Sequence, residues 1–394
     1  MSGLRFCRRL WRLAPGLLAL LVSALPLRAG DWDQRALARI ENPPLGLPPV
    51  VLPPGNPPSR AAIALGRKLF FDRRLSINTT MSCAMCHVPE QGFTSNELAT
   101  AIGVEGRSGR RNAPSIFNVA YARSLFHDAR DPALETQIYG PLLARNEMAN
   151  PSVGWLLARI RRLDDYPALF KAAFGAGPDV RNLGWALASY ERSLVSGNSP
   201  FDRWFYGRRK DAISPLAAKG YQLFTGKAGC NACHLIGDKH ALFTDHGLHN
   251  TGIGIARDQA AAPDGPPIEI EISPGVKVEM PRRTLNTIGH APIKDFGRIE
   301  VTDKAEDLYK YKTPMLRNVA LTAPYMHDGS LPSLKAVVAF YDRGGHANPG
   351  LDPAIRPLGL NGEEKSALVA FLNSLTGDNV DELIADARSV AVGN

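Results

Sequence analysis

Apolar residues recur along most of the chain with the spacing of three and four that is typical of amphipathic helices, whereas sustained two-residue alternation is scarce. The spacing predicts a helix over 60–71 and another that begins at Pro215, where Ser214 suits the N-cap and proline the first helical position. The other predicted helices span 183–195, 334–341 and 363–376. The fold class that this pattern predicts is all-α.

Two pentapeptides of one form follow the first two of these helices. Cys-Ala-Met-Cys-His occupies 83–87 and Cys-Asn-Ala-Cys-His occupies 230–234. Two thiols three residues apart can bond both vinyl groups of one haem, and the following histidine can bind the iron. A zinc ribbon is one alternative, but its CxxC units usually lie about 15–20 residues apart, far closer than the two motifs at 83–87 and 230–234. A redox CxxC is another alternative, but it would not need the histidine twice. We therefore predict two covalent c-type haems, held by Cys83, Cys86, His87, Cys230, Cys233 and His234.

The chain also repeats itself. The segment 66–70 before the first motif matches 220–224 before the second, each with a glycine for close helix contact and a Leu-Phe pair. Further on, 118–120 matches 318–320 and 127–128 matches 327–328, at a constant offset of 200 residues. We interpret this as two cytochrome c-like domains in tandem, related by an internal repeat. The predicted divisions are a signal peptide over 1–29, a Pro-rich arm over 30–58, and haem domains over 59–205 and 206–394.

The second copy carries a long insertion, 235–313, and the Pro-Asp-Gly-Pro-Pro run at 263–267 predicts that it is loop-like. The repeat also distinguishes the two irons. Subtracting 200 from Tyr341 gives Pro141, so if both positions face the open side of a haem, only the second iron gains a phenolate. The alternative is that Tyr341 is an ordinary core tyrosine.

The first 29 residues predict a secretory signal, with four arginines before the apolar run 17–25. An uncleaved membrane anchor is the alternative, but an anchor needs about 20 apolar residues. Cleavage removes Cys7, which leaves no cysteine for a disulfide, and five arginines, which lowers the net charge from +8 to +3. That small charge argues against a nucleic-acid partner. We expect a periplasmic protein.

At these motifs, together with 109–114 (Gly-Arg-Arg-Asn-Ala-Pro) and 316–325 (Leu-Arg-Asn-Val-Ala-Leu-Thr-Ala-Pro-Tyr), the chain resembles the bacterial dihaem cytochrome c peroxidases and MauG. The resemblance runs from about 61 to 378. It implies an enzyme whose N-terminal haem reacts with H2O2 and whose C-terminal haem is six-coordinate. Tyr341 resembles the distal ligand of MauG, where the electron-accepting peroxidases have Met, which places the chain in the tyrosine-ligated (MauG-like or MbnH-like) branch. Met315 and Met326 are rival ligands.

The same resemblance assigns the peroxide pocket. Gln137 would orient bound peroxide, and Glu147 would move the peroxide proton from the near to the far oxygen. The alternative for Glu147 is an exposed carboxylate at a helix end. Many relatives hold the resting iron with a distal His, but the aligned residue here is Val104. This iron should therefore rest five-coordinate. The residues implied to hold a calcium ion between the haems are Asn112, Thr322 and Pro324.

Two departures from the family bear on the substrate. His127 stands where the family usually has an inter-haem tryptophan, and Ala228 stands where MauG has a surface tryptophan. The leading interpretation is an enzyme that uses H2O2 to form a high-valent two-haem state and oxidises tryptophan in a periplasmic partner protein, with kynurenine or a quinone as product. The alternatives are a detoxifying peroxidase fed by a small cytochrome c and a non-enzymatic electron carrier.

Overall fold

The computed structural model describes residues 29–260, 266–281, 284 and 294–390. The first 28 residues of the predicted signal peptide and residues 263–265 of the predicted loop lie outside the described residues. Among the residues described, no helix is both long and apolar enough to cross a bilayer.

Helices dominate the described chain. In order they are α1 (Ala29–Glu41), α2 (Arg60–Phe71), α3 (Leu134–Gln137), α4 (Tyr139–Leu143), α5 (Val153–Arg161), α6 (Pro167–Phe174), α7 (Val180–Arg192), α8 (Pro200–Phe205), α9 (Pro215–Thr225), α10 (Ile253–Ala260), α11 (Ile299–Thr302), α12 (Leu334–Asp342), α13 (Gly362–Asn373) and α14 (Val380–Ala387). The predicted helices are confirmed, with ends that differ by at most three residues. The predicted N-cap is confirmed as well, because the Ser214 hydroxyl accepts a hydrogen bond from the Ala217 amide at 3.1 Å.

Four short strands correct the all-α prediction. β1 (Leu248–His249) pairs antiparallel with β4 (Tyr311–Lys312), and β2 (Ile268–Ser273) pairs antiparallel with β3 (Val276–Met280). All four lie in the insertion that was predicted to be loop-like. The β2–β3 hairpin forms because Ile and Glu alternate from 268 to 272, a pattern that suits a pleated strand. The fold is therefore predominantly helical with two small antiparallel pairs.

Each half contains a helix crossing closed by a glycine. α2 crosses α7 with Gly66 against the backbone of Ala186, and α9 crosses α13 with Gly220 against the backbone of Ala367. A Cβ atom on either glycine would lie only 1.9 Å from the facing carbonyl oxygen. The close approach therefore requires glycine in both halves, as the matched segments before the two CxxCH motifs suggest.

Two hydrophobic cores lie beside these crossings, and each receives a helix from elsewhere in the chain. The first core surrounds α2 and α7, and it includes Leu383 and Ala387 of the C-terminal helix α14. The second surrounds α9 and α13, and it includes Phe201 of α8. α1, inside the predicted Pro-rich arm, joins the first core because Arg39 pairs with the buried carboxylate of Asp386.

The two halves are tied together by hydrogen bonds between buried polar groups. The Lys312 amide donates to the His127 carbonyl at 2.7 Å, and the Asn112 amide donates to the His327 carbonyl at 2.8 Å. The Ser196 hydroxyl also donates to the side chain of Asn318 at 3.2 Å. Because buried polar groups are costly to leave unpaired, these bonds fix one half against the other.

We expect Gly220→Ala to lower the free energy of unfolding by about 1–3 kcal/mol, the usual cost of overpacking a tight contact. The matched control is Gly362→Ala at the start of α13, where an added Cβ meets nothing within 4 Å. The control should be neutral or stabilising by up to about 1 kcal/mol. Urea unfolding followed by circular dichroism measures both, and equal effects would show that the crossing does not depend on glycine.

Candidate functional site

A single cavity of about 1640 Å³ runs through both halves of the molecule. It exceeds the roughly 300–1,000 Å³ of an ordinary small-molecule pocket, so it has room for more than one large group. The structure brings all of the sequence-predicted site residues to its walls: Cys83, Cys86, His87, Asn112, His127, Gln137, Pro141, Glu147, Cys230, Cys233, His234, Thr322, Pro324 and Tyr341.

The two CxxCH segments adopt the same local structure. Each begins with a 3₁₀ turn, Cys83–Met85 or Cys230–Ala232, and in each the histidine amide donates to the carbonyl of the first cysteine at 2.9 Å. The turn therefore brings both thiols and the imidazole of one motif together at the cavity wall. All four cysteines are free and partly exposed to the cavity, as thioether attachment requires.

Each motif histidine is held in one tautomer. Nδ1 of His87 lies 3.0 Å from the Phe93 carbonyl oxygen, and Nδ1 of His234 lies 2.8 Å from the Phe243 carbonyl oxygen. A carbonyl oxygen can only accept, so Nδ1 carries the proton and Nε2 keeps its lone pair for a metal. Burial lowers the pKa of both imidazoles, which keeps them neutral. The residues thus fit two axially ligated haems.

The cavity wall in the first half carries two polar side chains and a proline. Gln137 ends α3, Pro141 lies within α4, and Glu147 follows on the loop. Burial raises the pKa of the Glu147 carboxyl, and the positive charge of Arg130 opposes that rise. Val104, which is 1% exposed, donates its amide to the Glu147 carbonyl at 2.9 Å and so helps to hold this loop.

The matching wall of the second half carries a phenol. Tyr341 lies on α12, and burial together with the nearby thiols of Cys230 and Cys233 raises the pKa of its hydroxyl. Met315 and Met326 also line the cavity. The electrostatic interaction of the Tyr341 phenol with the thiols of Cys230 and Cys233 shows that it lies near the second CxxCH segment.

Comparison with known proteins agrees with this geometry. A family model described as di-haem cytochrome c peroxidase matches residues 60–210. The chain is 38% identical to cytochrome-c peroxidase IdrP1 of Denitromonas iodatirespirans over 339 residues, which covers 85% of this chain and 86% of that one. It is 35% identical to methylamine utilization protein MauG of Methylorubrum extorquens over 328 residues, covering 83% and 81%. The chain belongs to the dihaem cytochrome c peroxidase and MauG family.

A solved structure has the same fold. It is a MauG-like protein associated with microbial copper homeostasis, which matches with a TM-score of 0.69 and 29% identity over 86% of this chain and 96% of that one. The chain is therefore a haem-dependent oxidoreductase of the peroxidase type.

At the junction of the two halves, this family member has a group of rings that the sequence reasoning found only in part. Nε2 of His127 lies 2.9 Å from the carbonyl oxygen of Asn112, and burial lowers the pKa of His127 to about 4. Its ring lies 6.5 Å from that of His327, which stacks on Tyr311 at 3.5 Å. Burial also lowers the pKa of His327 well below its ordinary value, so both histidines are neutral at pH 7. The offset of 200 pairs the histidines, but nothing in the sequence indicates that Tyr311 joins them.

A buried acid in the first half was also missed. Glu191 on α7 lines the cavity, and burial raises its pKa to about 8. The matching position on α13 is Leu372, which lines the second half of the cavity. Glu191 therefore carries a proton at neutral pH beside the first motif, whereas the second half has an apolar side chain. The helical pattern alone indicated only that this helix is buried.

One group of side chains resembles a metal site. Cys233, Asp245 and His249 offer ligand atoms within 4.8 Å of one another. Both ring nitrogens of His249 are already hydrogen-bonded, to Asp352 at 2.6 Å and to Asp245 at 2.9 Å. An imidazole whose two ring nitrogens both donate hydrogen bonds has no lone pair to offer to a metal. We therefore assign Cys233 to the CxxCH motif and not to a separate metal.

We expect the resting protein to show one high-spin and one low-spin ferric haem in electron paramagnetic resonance, because Pro141 offers no ligand whereas Tyr341 does. Tyr341→Phe should remove the low-spin signal and leave both haems covalently attached on a denaturing gel. The control is Tyr325→Phe, since Tyr325 lines the same cavity but donates to the Val319 carbonyl at 2.9 Å. Loss of the signal in Met315→Leu or Met326→Leu instead would transfer the assignment to that methionine.

Proposed function

We propose that this protein is a peroxide-driven dihaem enzyme that oxidises tryptophan in a partner protein. Cys83, Cys86 and His87 would hold the haem that reacts with H2O2. Cys230, Cys233 and His234, together with Tyr341, would hold the other. The observation that carries the proposal is the difference between two matched walls of one cavity: Pro141 on α4 in the first half and Tyr341 on α12 in the second.

The first half has the groups that peroxide cleavage needs. The haem held by Cys83, Cys86 and His87 would supply the redox chemistry of peroxide reduction. Glu147 would accept the proton of the near peroxide oxygen and return it to the far oxygen, so that water leaves. The buried position of this carboxyl supports the role, since a raised pKa brings its proton affinity closer to that of the groups between which it moves the proton. Gln137, on the same wall, would orient the peroxide by hydrogen bonding.

The second half is suited to holding oxidising equivalents and not to receiving electrons at high potential. A phenolate is a hard anionic ligand that favours the higher oxidation states of iron, whereas a thioether favours the ferrous state. Tyr341 must lose its proton to bind iron. Because its hydroxyl is buried and lies near two sulfur atoms, the free phenol resists ionisation. The positive charge of a ferric ion would have to stabilise the phenolate in place of that proton.

A calcium ion between the haems is part of the proposal. Its ligands would be the side-chain oxygen of Asn112 and the backbone carbonyls of Thr322 and Pro324, which are the hard oxygen donors that calcium prefers. The amide nitrogen of Asn112 already donates to the Ala99 carbonyl at 2.9 Å, so its oxygen points elsewhere. His127 is bonded to the backbone of the same Asn112. The ion would thus order the junction between the halves.

The proposed substrate is a tryptophan side chain of a partner protein in the periplasm, which the leader over 1–29 implies. One relative is named methylamine utilization protein MauG. The specific alternative is a cytochrome c peroxidase that removes H2O2 with electrons from a small cytochrome c, because other relatives carry that name. Tyr341 favours the first function, since a tyrosine-ligated haem is hard to reduce.

Glu147→Gln should slow the reaction of the ferric protein with H2O2 by about 10²–10⁴-fold, as is typical when a general acid–base group is removed. Burial raises the pKa of Glu147 above its ordinary value of 4.5. The wild-type rate should therefore fall as the pH drops through that raised pKa, because the protonated acid cannot accept a proton. The Gln variant should be slow and independent of pH in this range. Stopped-flow absorbance measures both, with the exposed neighbour Glu105→Gln as control.

The substrate is tested with candidate partners, chosen from the proteins encoded beside this one. Mixing one with the enzyme and H2O2 should add oxygen to a partner tryptophan, which mass spectrometry detects, and Tyr341→Phe should abolish the product. A partner whose mass does not change, while reduced cytochrome c is consumed rapidly, would establish the detoxifying peroxidase instead.

A further inference from the structure

A row of packed aromatic rings leads from the second CxxCH histidine to the surface. Phe224 lies 6.4 Å from His234 between ring centroids, and Phe371 lies 4.9 Å from Phe224. Tyr221 then lies 5.9 Å from Phe371, and Trp204 lies 5.3 Å from Tyr221. Trp204 and Tyr221 are partly exposed, whereas Phe224 and Phe371 are buried. The row therefore joins an iron ligand to solvent.

The first half has the first two rings of the same row, but no third ring follows them. Phe70 lies 6.4 Å from His87, and Tyr190 lies 5.2 Å from Phe70. These rings match Phe224 and Phe371, but the position that matches Tyr221 is Arg67, whose guanidinium lies 5.8 Å above the Tyr190 ring.

Arg67 leads to charges and not to another ring. It pairs with Asp33 and Asp386, each at 2.6 Å. The Tyr190 hydroxyl is buried and has no hydrogen-bond partner among the described residues. A phenol that cannot release its proton is hard to oxidise, so the row in the first half does not continue as a path for electrons.

We propose that Trp204 is the residue through which electrons enter the second haem from outside the protein, by way of Tyr221, Phe371, Phe224 and His234. Indole and phenol are the side chains of this row that lose one electron most readily. An indole can do so without first losing its N–H proton, which makes Trp204 the place where the positive charge can rest. Trp204 is thus proposed as an electron relay that acts through the haem, and it makes no contact with peroxide.

Each molecule of peroxide consumes two electrons. Hydrogen peroxide, with two protons, takes two electrons from the haems and leaves as two water molecules. Trp204 then passes two electrons inward, one at a time, and each time regains one from an external aromatic side chain. That side chain is thereby oxidised and releases its proton to water. The relay rests on the proposed function for its oxidant, although either substrate class would supply the electrons.

The first test treats the holoprotein with H2O2 in the absence of any donor or partner, followed by peptide mapping by mass spectrometry. Electrons must then come from the protein itself, and we expect oxygen to be added at Trp204. Trp155 is the internal control, because it is 39% exposed and lies in the first half. Oxidation by peroxide in bulk solvent would modify Trp155 at least as readily. Modification of Trp155 in preference to Trp204 would overturn the relay.

The matched variants are Trp204→Phe and Trp155→Phe. Trp204→Phe should lose the oxygenated peptide and prolong the altered haem absorbance that follows peroxide, whereas Trp155→Phe should change neither. An unchanged decay of the haem absorbance in Trp204→Phe would contradict the proposal. If peroxide leaves the wild-type haem spectrum unaltered, the proposed function fails, and the second test alone decides the relay.

The second test needs no peroxide. Arg208→Cys, in a protein without Cys7, carries a ruthenium photo-oxidant on the exposed residue four positions after Trp204. After chemical reduction of the haems, a laser flash lets the label withdraw an electron from the second haem by the same route. Adding Trp204→Phe should slow that withdrawal, and adding Trp155→Phe should not. Equal rates with and without Trp204 would overturn the relay whatever the protein oxidises.

Discussion

The close crossing of two helices at a glycine is the contact on which each haem wall depends. Gly66 allows α2 to touch the backbone of α7, and Gly220 allows α9 to touch the backbone of α13. Near the end of each of these two helices, the Leu-Phe pair turns its phenylalanine toward the motif histidine, and the two ring centroids lie 6.4 Å apart in both halves. A side chain at either glycine would separate the helices and move that ring. The packing around the motif histidine therefore depends on the absence of a Cβ atom at these two glycines.

On this shared frame, a few substitutions give the halves different chemistry. Pro141 in the first half corresponds to Tyr341 in the second. Glu191 in the first half corresponds to Leu372 in the second, and all four residues line the cavity. Both pairs correspond through the sequence repeat. Under the proposed function, the first half would leave its iron open to peroxide beside a protonated acid. The second half would use Tyr341 to close its iron to peroxide.

The sequence predicted most of what depends on local pattern. Helical spacing and the Ser214 cap predicted the helix bounds, and the residues that the CxxCH motifs and the offset of 200 singled out line one cavity. The prediction failed in the long insertion, where it missed the β2–β3 hairpin although Ile and Glu alternate in the sequence of β2. Tyr311, stacked on His327, was missed because strand pairing across the insertion brings it there. Such contacts have no local signal.

The C-terminal helix has a consequence for the order in which the protein is made. Leu383 and Ala387 of α14 fill the core beside the first CxxCH motif, and Asp386 pairs with Arg39 and Arg67 inside it. The first core is thus incomplete until α14 has been synthesised, although its own CxxCH motif lies at 83–87. Cys83 and Cys86 pack against this core, so a chain that lacks α14 covers them less completely. The haem that must later be sheltered from solvent can be attached while its domain is still open.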